Sequence, residues 1–175
     1  MKSIRMIAAS SFALLVFVAT APAETKVELK GVHLCCPACT KAVGDILKKV
    51  DGVQGMCDKD AGTVTITAKD DATAQKALDA LAAGGFHGTT DSASLKIKDD
   101  SGVKAGKVKT ITLTGVHNCC GACCKGIKTA VKKVDGVTGD TAKPKLNTFE
   151  VTGNFDAAEL VKALNEAGYH VKVKE

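Results

Sequence analysis

The stretch Gly31-Val32-His33-Leu34-Cys35-Cys36-Pro37-Ala38-Cys39 returns 84 residues later as Gly115-Val116-His117-Asn118-Cys119-Cys120-Gly121-Ala122-Cys123. A chain of 175 residues is long enough for one medium domain or two small ones, and the repeat decides for two. Seven of the eight cysteines lie in or beside the two copies, so the repeated stretch also concentrates the chemistry.

Thiolates three residues apart, one in a loop and one where an amphipathic helix begins, can grip a single ion. An unperturbed thiol, with a pKa of about 8.5, is mostly protonated at neutral pH, so such a site must lower that value. Cys39 and Cys123 open runs whose apolar residues recur at helical spacing: Val43, Ile46, Leu47 and Val50 in one copy, Ile127, Ala130, Val131 and Val134 in the other. Unpaired backbone N–H groups and the positive end of the dipole at a helix N-terminus favour a thiolate. Lys41 and Lys125 add positive charge nearby.

The first 23 residues contain no acidic residue. Lys2 and Arg5, an apolar run from Ile7 to Val18, and Ala21-Pro22-Ala23 have the form of a bacterial export signal cut after Ala23. The apolar run is short for spanning a bilayer, and no later stretch is long enough. The cut removes two positive charges and lowers the net charge from +5 to +3. With lysines interspersed among acids and aromatics at 3 %, no basic groove with stacking rings is visible, which excludes a nucleic-acid partner. Export to a periplasmic or extracellular space favours disulfides in general. Clustering argues against a plain framework here, because a Cys36–Cys39 bridge closes only a tiny loop.

Taken in order, Thr25 to Lys30 alternates as a strand with Val27 and Leu29 inward. The cysteine loop and first helix follow, stopped at Asp51-Gly52-Val53. Val53 to Asp58 and Thr63 to Ala68 read as a hairpin, and Ala72 to Ala83 as a second helix broken by Gly84-Gly85. An edge strand should come either near Phe86 or at Leu95 and Ile97. Asp99 to Lys107 is polar and glycine-bearing, the composition of a linker. The second copy repeats the order: strand Lys109 to Thr114, helix Ala122 to Val134, strands near Thr138 to Thr141 and Thr148 to Thr152, helix Asp156 to Ala167 with Asp156 as N-cap, and strand Tyr169 to Lys174. The expected fold class is α+β, two tandem ferredoxin-like βαββαβ sandwiches after an N-terminal signal peptide. The expected divisions are a signal peptide at 1–23, a first domain at 24–91, a linker at 92–107 and a second domain at 108–175.

On these features each half resembles the heavy-metal-associated domain, the module of copper chaperones, of the N-terminal tails of metal-pumping ATPases and of periplasmic mercury-binding proteins. The element order, the Gly-Val before the cysteines, the Cys-x-x-Cys at the helix start and the Asp-Gly-Val after it carry the resemblance. It implies Cys36 with Cys39, and Cys120 with Cys123, as metal thiolates. The chain departs from the family's usual Gly-Met-x-Cys-x-x-Cys: Val32 and Val116 take the methionine place, and an extra cysteine precedes each pair. Cys35 and Cys119 are therefore candidate auxiliary ligands, and His33 and His117 candidate ligands or supports. Two thiolates suit Cu(I) or Hg(II), whereas adding Cys35 and His33 makes a Cys₃His set suited to Zn(II).

His87 and His170, each after an aromatic, read as surface residues or supports of the metal loop. Cys57 reads as a small buried residue in a strand, and Cys124 as an aid to Cys123 or a cap of the helix face. Pro37 and Gly121 should give the two loops unequal stiffness. The function expected is that of a non-enzymatic, exported protein that captures or hands on a soft metal ion, Cu(I) first with Zn(II) and Hg(II) as alternatives. Exposed dithiolates would exchange ligands with a metal-transporting partner domain. The rival is a thiol-disulfide oxidoreductase or redox sensor using the same pairs.

Overall fold

The computed structural model describes residues 24–174. The expected export signal at 1–23 lies outside them. Strands β1 (Thr25–Lys30), β2 (Val53–Asp58), β3 (Thr63–Ala68) and β4 (Thr89–Thr90) form an antiparallel sheet in the order β2-β3-β1-β4, with helices α1 (Pro37–Leu47) and α2 (Asp71–Ala83) packed on it. The second half repeats this with β5 (Lys107–Thr114), α3 (Gly121–Val131), β6 (Val137–Asp140), β7 (Phe149–Asp156), α4 (Ala157–Glu166) and β8 (Lys172–Val173), in the order β6-β7-β5-β8. Each half is a ferredoxin-like sandwich, as the element order implied.

Period-two alternation sets the sheet faces. Val27 and Leu29 of β1 and Val64 and Ile66 of β3 are buried and pair in register, while threonines between them face outward. Helix α2 buries Ala74, Ala77, Leu78 and Leu81, a stripe at 3.6 spacing, and α4 does the same with Leu160, Val161 and Leu164. The Asp70 carboxylate accepts from Thr73 N–H, and Asp156 accepts from Ala158 and Glu159, so both helices start on a side-chain cap.

Several expected boundaries move. Neither Phe86 nor Leu95 and Ile97 supplies the first edge strand, which is Thr89–Thr90 paired with Leu29 and Lys30. The final strand is only Lys172–Val173, because Tyr169 and His170 are drawn into contacts with the first half. The segment at 92–107, expected as a linker, is docked. Leu95 and Ile97 are buried, the Gln75 amide bonds both Lys96 backbone groups, and the Ser101 carbonyl accepts from Val173 N–H. Two alternating apolar residues and a serine therefore strap the joint between the halves, and β5 begins at Lys107, inside the expected linker.

The halves meet through reciprocal turns. Phe86, after α2, bridges antiparallel to Tyr169, after α4; His87 N–H donates to the Gly168 carbonyl and His170 N–H to the Gly85 carbonyl, both at 3.1 Å. Each aromatic then covers the other half's cysteine loop. Tyr169 stacks on His33 with ring centroids 4.5 Å apart, and Phe86 stacks on His117 at 4.3 Å. Both aromatics are about 99 % buried, at 1 % exposure, and burying such a ring contributes roughly 2–3 kcal/mol.

Gly85 and Gly168 have φ of 84° and 87°, and an added Cβ would overlap the backbone of the opposite half's loop, at His117 for Gly85 and at His33 for Gly168. Gly102, at φ 68°, has open space around it. Gly102→Ala is therefore expected to cost about 1 kcal/mol from backbone strain alone, and Gly85→Ala at least about twice that. Denaturant unfolding of the two variants checks the difference; equal losses would mean that the turns do not hold the halves together.

Candidate metal centre

Helices α1 and α3 both start at the joint, where the cysteines around each N-terminus touch those of the other. Cys36 and Cys120 are the N-cap residues, with extended backbones at φ −157° and −153°, and Pro37 and Gly121 are the first helical residues rather than loop residues. Pro37 suits that place because its missing N–H has no partner to lose. Cys39 and Cys123 lie in the first turn and are fully buried, at 0 % exposure. Cys35, Cys36, Cys119 and Cys120 are half-buried.

The two expected pairs are therefore not separate. Within each pair the sulfurs lie close, Cys36–Cys39 at 3.7 Å and Cys120–Cys123 at 3.9 Å, and they also touch across the joint. Cys39–Cys123 and Cys35–Cys120 are both 3.7 Å, and Cys35–Cys123 is 3.3 Å. Cys36–Cys119 is 3.7 Å and Cys39–Cys119 3.6 Å. The expectation of exposed dithiolates at loop tips is corrected: the loops cover one another, and the first-turn sulfurs are sealed by the opposite half. The physical reason is the aromatic and glycine at each α2 or α4 turn, which dock onto the opposite loop.

His33 and His117 join the same centre. One ring nitrogen of His117 lies within 4.8 Å of the sulfurs of Cys39, Cys119 and Cys123, and one of His33 lies that close to Cys35 and Cys123. Nε2 of each is buried without a hydrogen-bond partner, an arrangement a ligand or a thiol proton would relieve. The Cys₃His set expected within one copy is instead assembled from both.

Burial pushes the Cys35 and Cys119 thiols up to about 12, and the neighbouring Cys123 thiol together with burial raises Cys39. Cys120 goes the other way, to about 7, because the backbone N–H groups of Cys123 and Ala122 favour its thiolate. The helix-terminus effect expected at Cys39 and Cys123 thus acts at an N-cap. Lys41 is turned to Asp45, 2.5 Å away, on the exposed face.

The remaining candidates fall outside the centre. His170 is 3 % exposed and bonds Asp100 at 2.6 Å, so it is not a surface residue, and the half-buried His87 lies parallel to it with ring centroids 5.8 Å apart. Burial and His170 hold His87 down to about 4. Cys57 is half-buried in β2, and the Cys124 thiol is directed at the Ala142 carbonyl, 3.4 Å away. Sequence reasoning missed Phe86 and Tyr169 as parts of the site. The signal was present as a second repeat, Gly85-Phe86-His87 and Gly168-Tyr169-His170.

No family model and no curated protein matches the chain. Among solved structures it is similar to oxidized MerP from Ralstonia metallidurans CH34, at 33% identity over 38% of this chain and 97% of that one, with a TM-score of 0.33. The N-terminal soluble domains of Bacillus subtilis CopA are a second neighbour, at 19% identity over 87% of this chain and 95% of that one, with a TM-score of 0.32. No helix among the described residues is long and apolar enough to cross a membrane.

The raised thiols give the metal-free protein a pH dependence. Cys35 and Cys119 stay protonated in the folded chain while their unfolded counterparts ionise near the ordinary value of 9.0. The folded state then holds more protons than the unfolded one, so stability falls as pH rises from about 9 towards about 12. Denaturation of the reduced, metal-free chain across alkaline pH should show this decline, with a flatter slope in a Cys35→Ser, Cys119→Ser double variant; identical slopes would contradict it.

Proposed function

We propose that the chain is an exported, non-enzymatic protein that captures soft heavy-metal ions, Cu(I) first, and releases them by ligand exchange to a metal-transporting partner. The observation that carries this reading is the convergence of six thiol sulfurs, separated by 3.3 to 4.0 Å along their contacts, at the facing N-termini of α1 and α3. Metal–sulfur bonds of about 2.3 Å in a tetrahedral set place sulfurs about 3.8 Å apart, so the spacing suits a shared ion without large rearrangement. Thiolate-rich sites select Cu(I) over harder ions, and Hg(II) and Zn(II) are the alternatives for the same sulfurs. Cys36, Cys39, Cys120 and Cys123 are assigned as primary ligands, Cys35 and Cys119 as further ligands, and His33 and His117 as ligands or hydrogen-bond partners.

Metal acts here as cargo. Loading displaces thiol protons, most at Cys35 and Cys119, so affinity should fall as pH falls. With Cys39 and Cys123 sealed, exchange with a partner's thiolates would begin at the half-buried Cys36 and Cys120. The basic, apolar start of the sequence supports a periplasmic or secreted location.

Titration of the reduced chain with Cu(I), Hg(II) and Zn(II) against competing chelators tests the reading. Sub-micromolar Cu(I) affinity is expected, reduced by at least about tenfold in Cys36→Ser and in Cys120→Ser. A chain that binds none of the three ions but catalytically reduces insulin would instead be a thiol-disulfide oxidoreductase.

A further inference from the structure

We infer that the leading cysteine of each copy completes the metal site of the other, so that the chain holds two three-coordinate ions in crossed sites. This rests on the soft-metal reading above and adds to it which sulfurs hold which ion.

The sulfur contacts close four triangles of mutually touching atoms. Two of them, Cys39–Cys119–Cys123 and Cys35–Cys39–Cys123, share the central Cys39–Cys123 edge, so two ions placed there would lie too close together. The two outer triangles share no atom and together use all six sulfurs. The first is Cys36, Cys39 and Cys119, with edges of 3.7, 3.7 and 3.6 Å. The second is Cys120, Cys123 and Cys35, with edges of 3.9, 3.7 and 3.3 Å. Each consists of one copy's Cys-x-x-Cys and the other copy's leading cysteine. A trigonal ion with bonds of about 2.3 Å needs edges of about 4.0 Å, so each triangle has to open by roughly a third of an ångström on average.

The competing set within one copy, Cys35, Cys36 and Cys39, has two edges of 3.7 Å, and the sulfurs of the adjacent Cys35 and Cys36, though within 4.8 Å of one another, make no direct contact. A digonal ion fits less well, since linear coordination needs its two sulfurs about 4.6 Å apart, against 3.7 Å for Cys36–Cys39. His33 lies beside Cys35 and Cys123 of the second triangle, whereas His117 lies beside Cys39 and Cys119 of the first and also beside Cys123 of the second.

Loading involves no redox step. Each Cu(I), arriving on an exchangeable carrier, forms three copper–sulfur bonds; protons from thiols leave to solvent and the carrier is released. A Cu(I) ion with three thiolates leaves two negative charges per site, and the N-termini of α1 and α3, each worth about half a positive charge, face them. The crossed arrangement makes metal a tie between the halves, so ions and joint stabilise each other.

Two measurements on the full chain test this. X-ray absorption of the wild-type chain loaded with two equivalents of Cu(I) should give three sulfurs per copper; two sulfurs per copper would overturn the crossed sites while leaving the soft-metal reading intact. In a background of Cys120→Ser and Cys123→Ser, where only the first pair remains, Cys119→Ser should lower Cu(I) affinity at least about tenfold more than Cys35→Ser does. The reverse order would assign the third sulfur to the pair's own copy and overturn the inference. Failure of the wild-type chain to take up Cu(I), Hg(II) or Zn(II) would remove the soft-metal reading itself, and the inference with it.

Discussion

Sulfur contact across the joint is the constraint on which the rest of the molecule depends. Six thiols packed together cannot all ionise, because each new thiolate faces at least two other sulfurs at under 4 Å in a partly dry space. Burial is the main reason Cys35 and Cys119 are pushed so high, and the neighbouring Cys39 adds to it. A soft cation removes the conflict by replacing protons with metal–sulfur bonds. The site is poised for an ion by the same crowding that opposes several thiolates at once.

The fold provides this crowding with small, repeated devices. A glycine at positive φ after α2 or α4 brings the turn backbone against the opposite cysteine loop, and the aromatic that follows it covers the opposite histidine. The two copies differ in how they fill the space behind the ring. Gly126 leaves room for the Tyr169 hydroxyl, which donates to the Cys123 carbonyl at 2.9 Å, whereas Phe86 has no hydroxyl and Ala42 stands at the place corresponding to Gly126. Leu34 and Asn118 diverge in the same way: Leu34 joins the core, while the buried Asn118 amide bonds the carbonyls of Lys143 and Leu146. The sites are thus alike in plan and unequal in detail.

The element order was legible because alternation in Thr25–Lys30 and helical spacing from Val43 to Leu47 are local signals that burial then enforces, although the helix stops short of Val50. Asp156 was legible as a cap for the same reason. The short edge strands were not, since Phe86 and Tyr169 carry strand-like signals but are used across the joint. The sealing of Cys39 and Cys123 was also hidden. Periodicity reports which face of an element is buried against its own sheet, and says nothing about how two finished sandwiches dock. The docking signal, a glycine-aromatic-histidine triplet recurring beside a repeated cysteine loop, becomes readable only when both repeats are taken as one interface.

In the proposed exchange an incoming thiolate would reach the half-buried Cys36 or Cys120 before the buried Cys39 or Cys123. The central claim, that the two copies share one sulfur centre, is tested most directly by anomalous diffraction from crystals of the chain loaded with Cu(I). The account predicts metal peaks between the halves, each bounded by cysteines of both copies. Single ions on two separated loops, each bounded only by its own Cys-x-x-Cys, would contradict it.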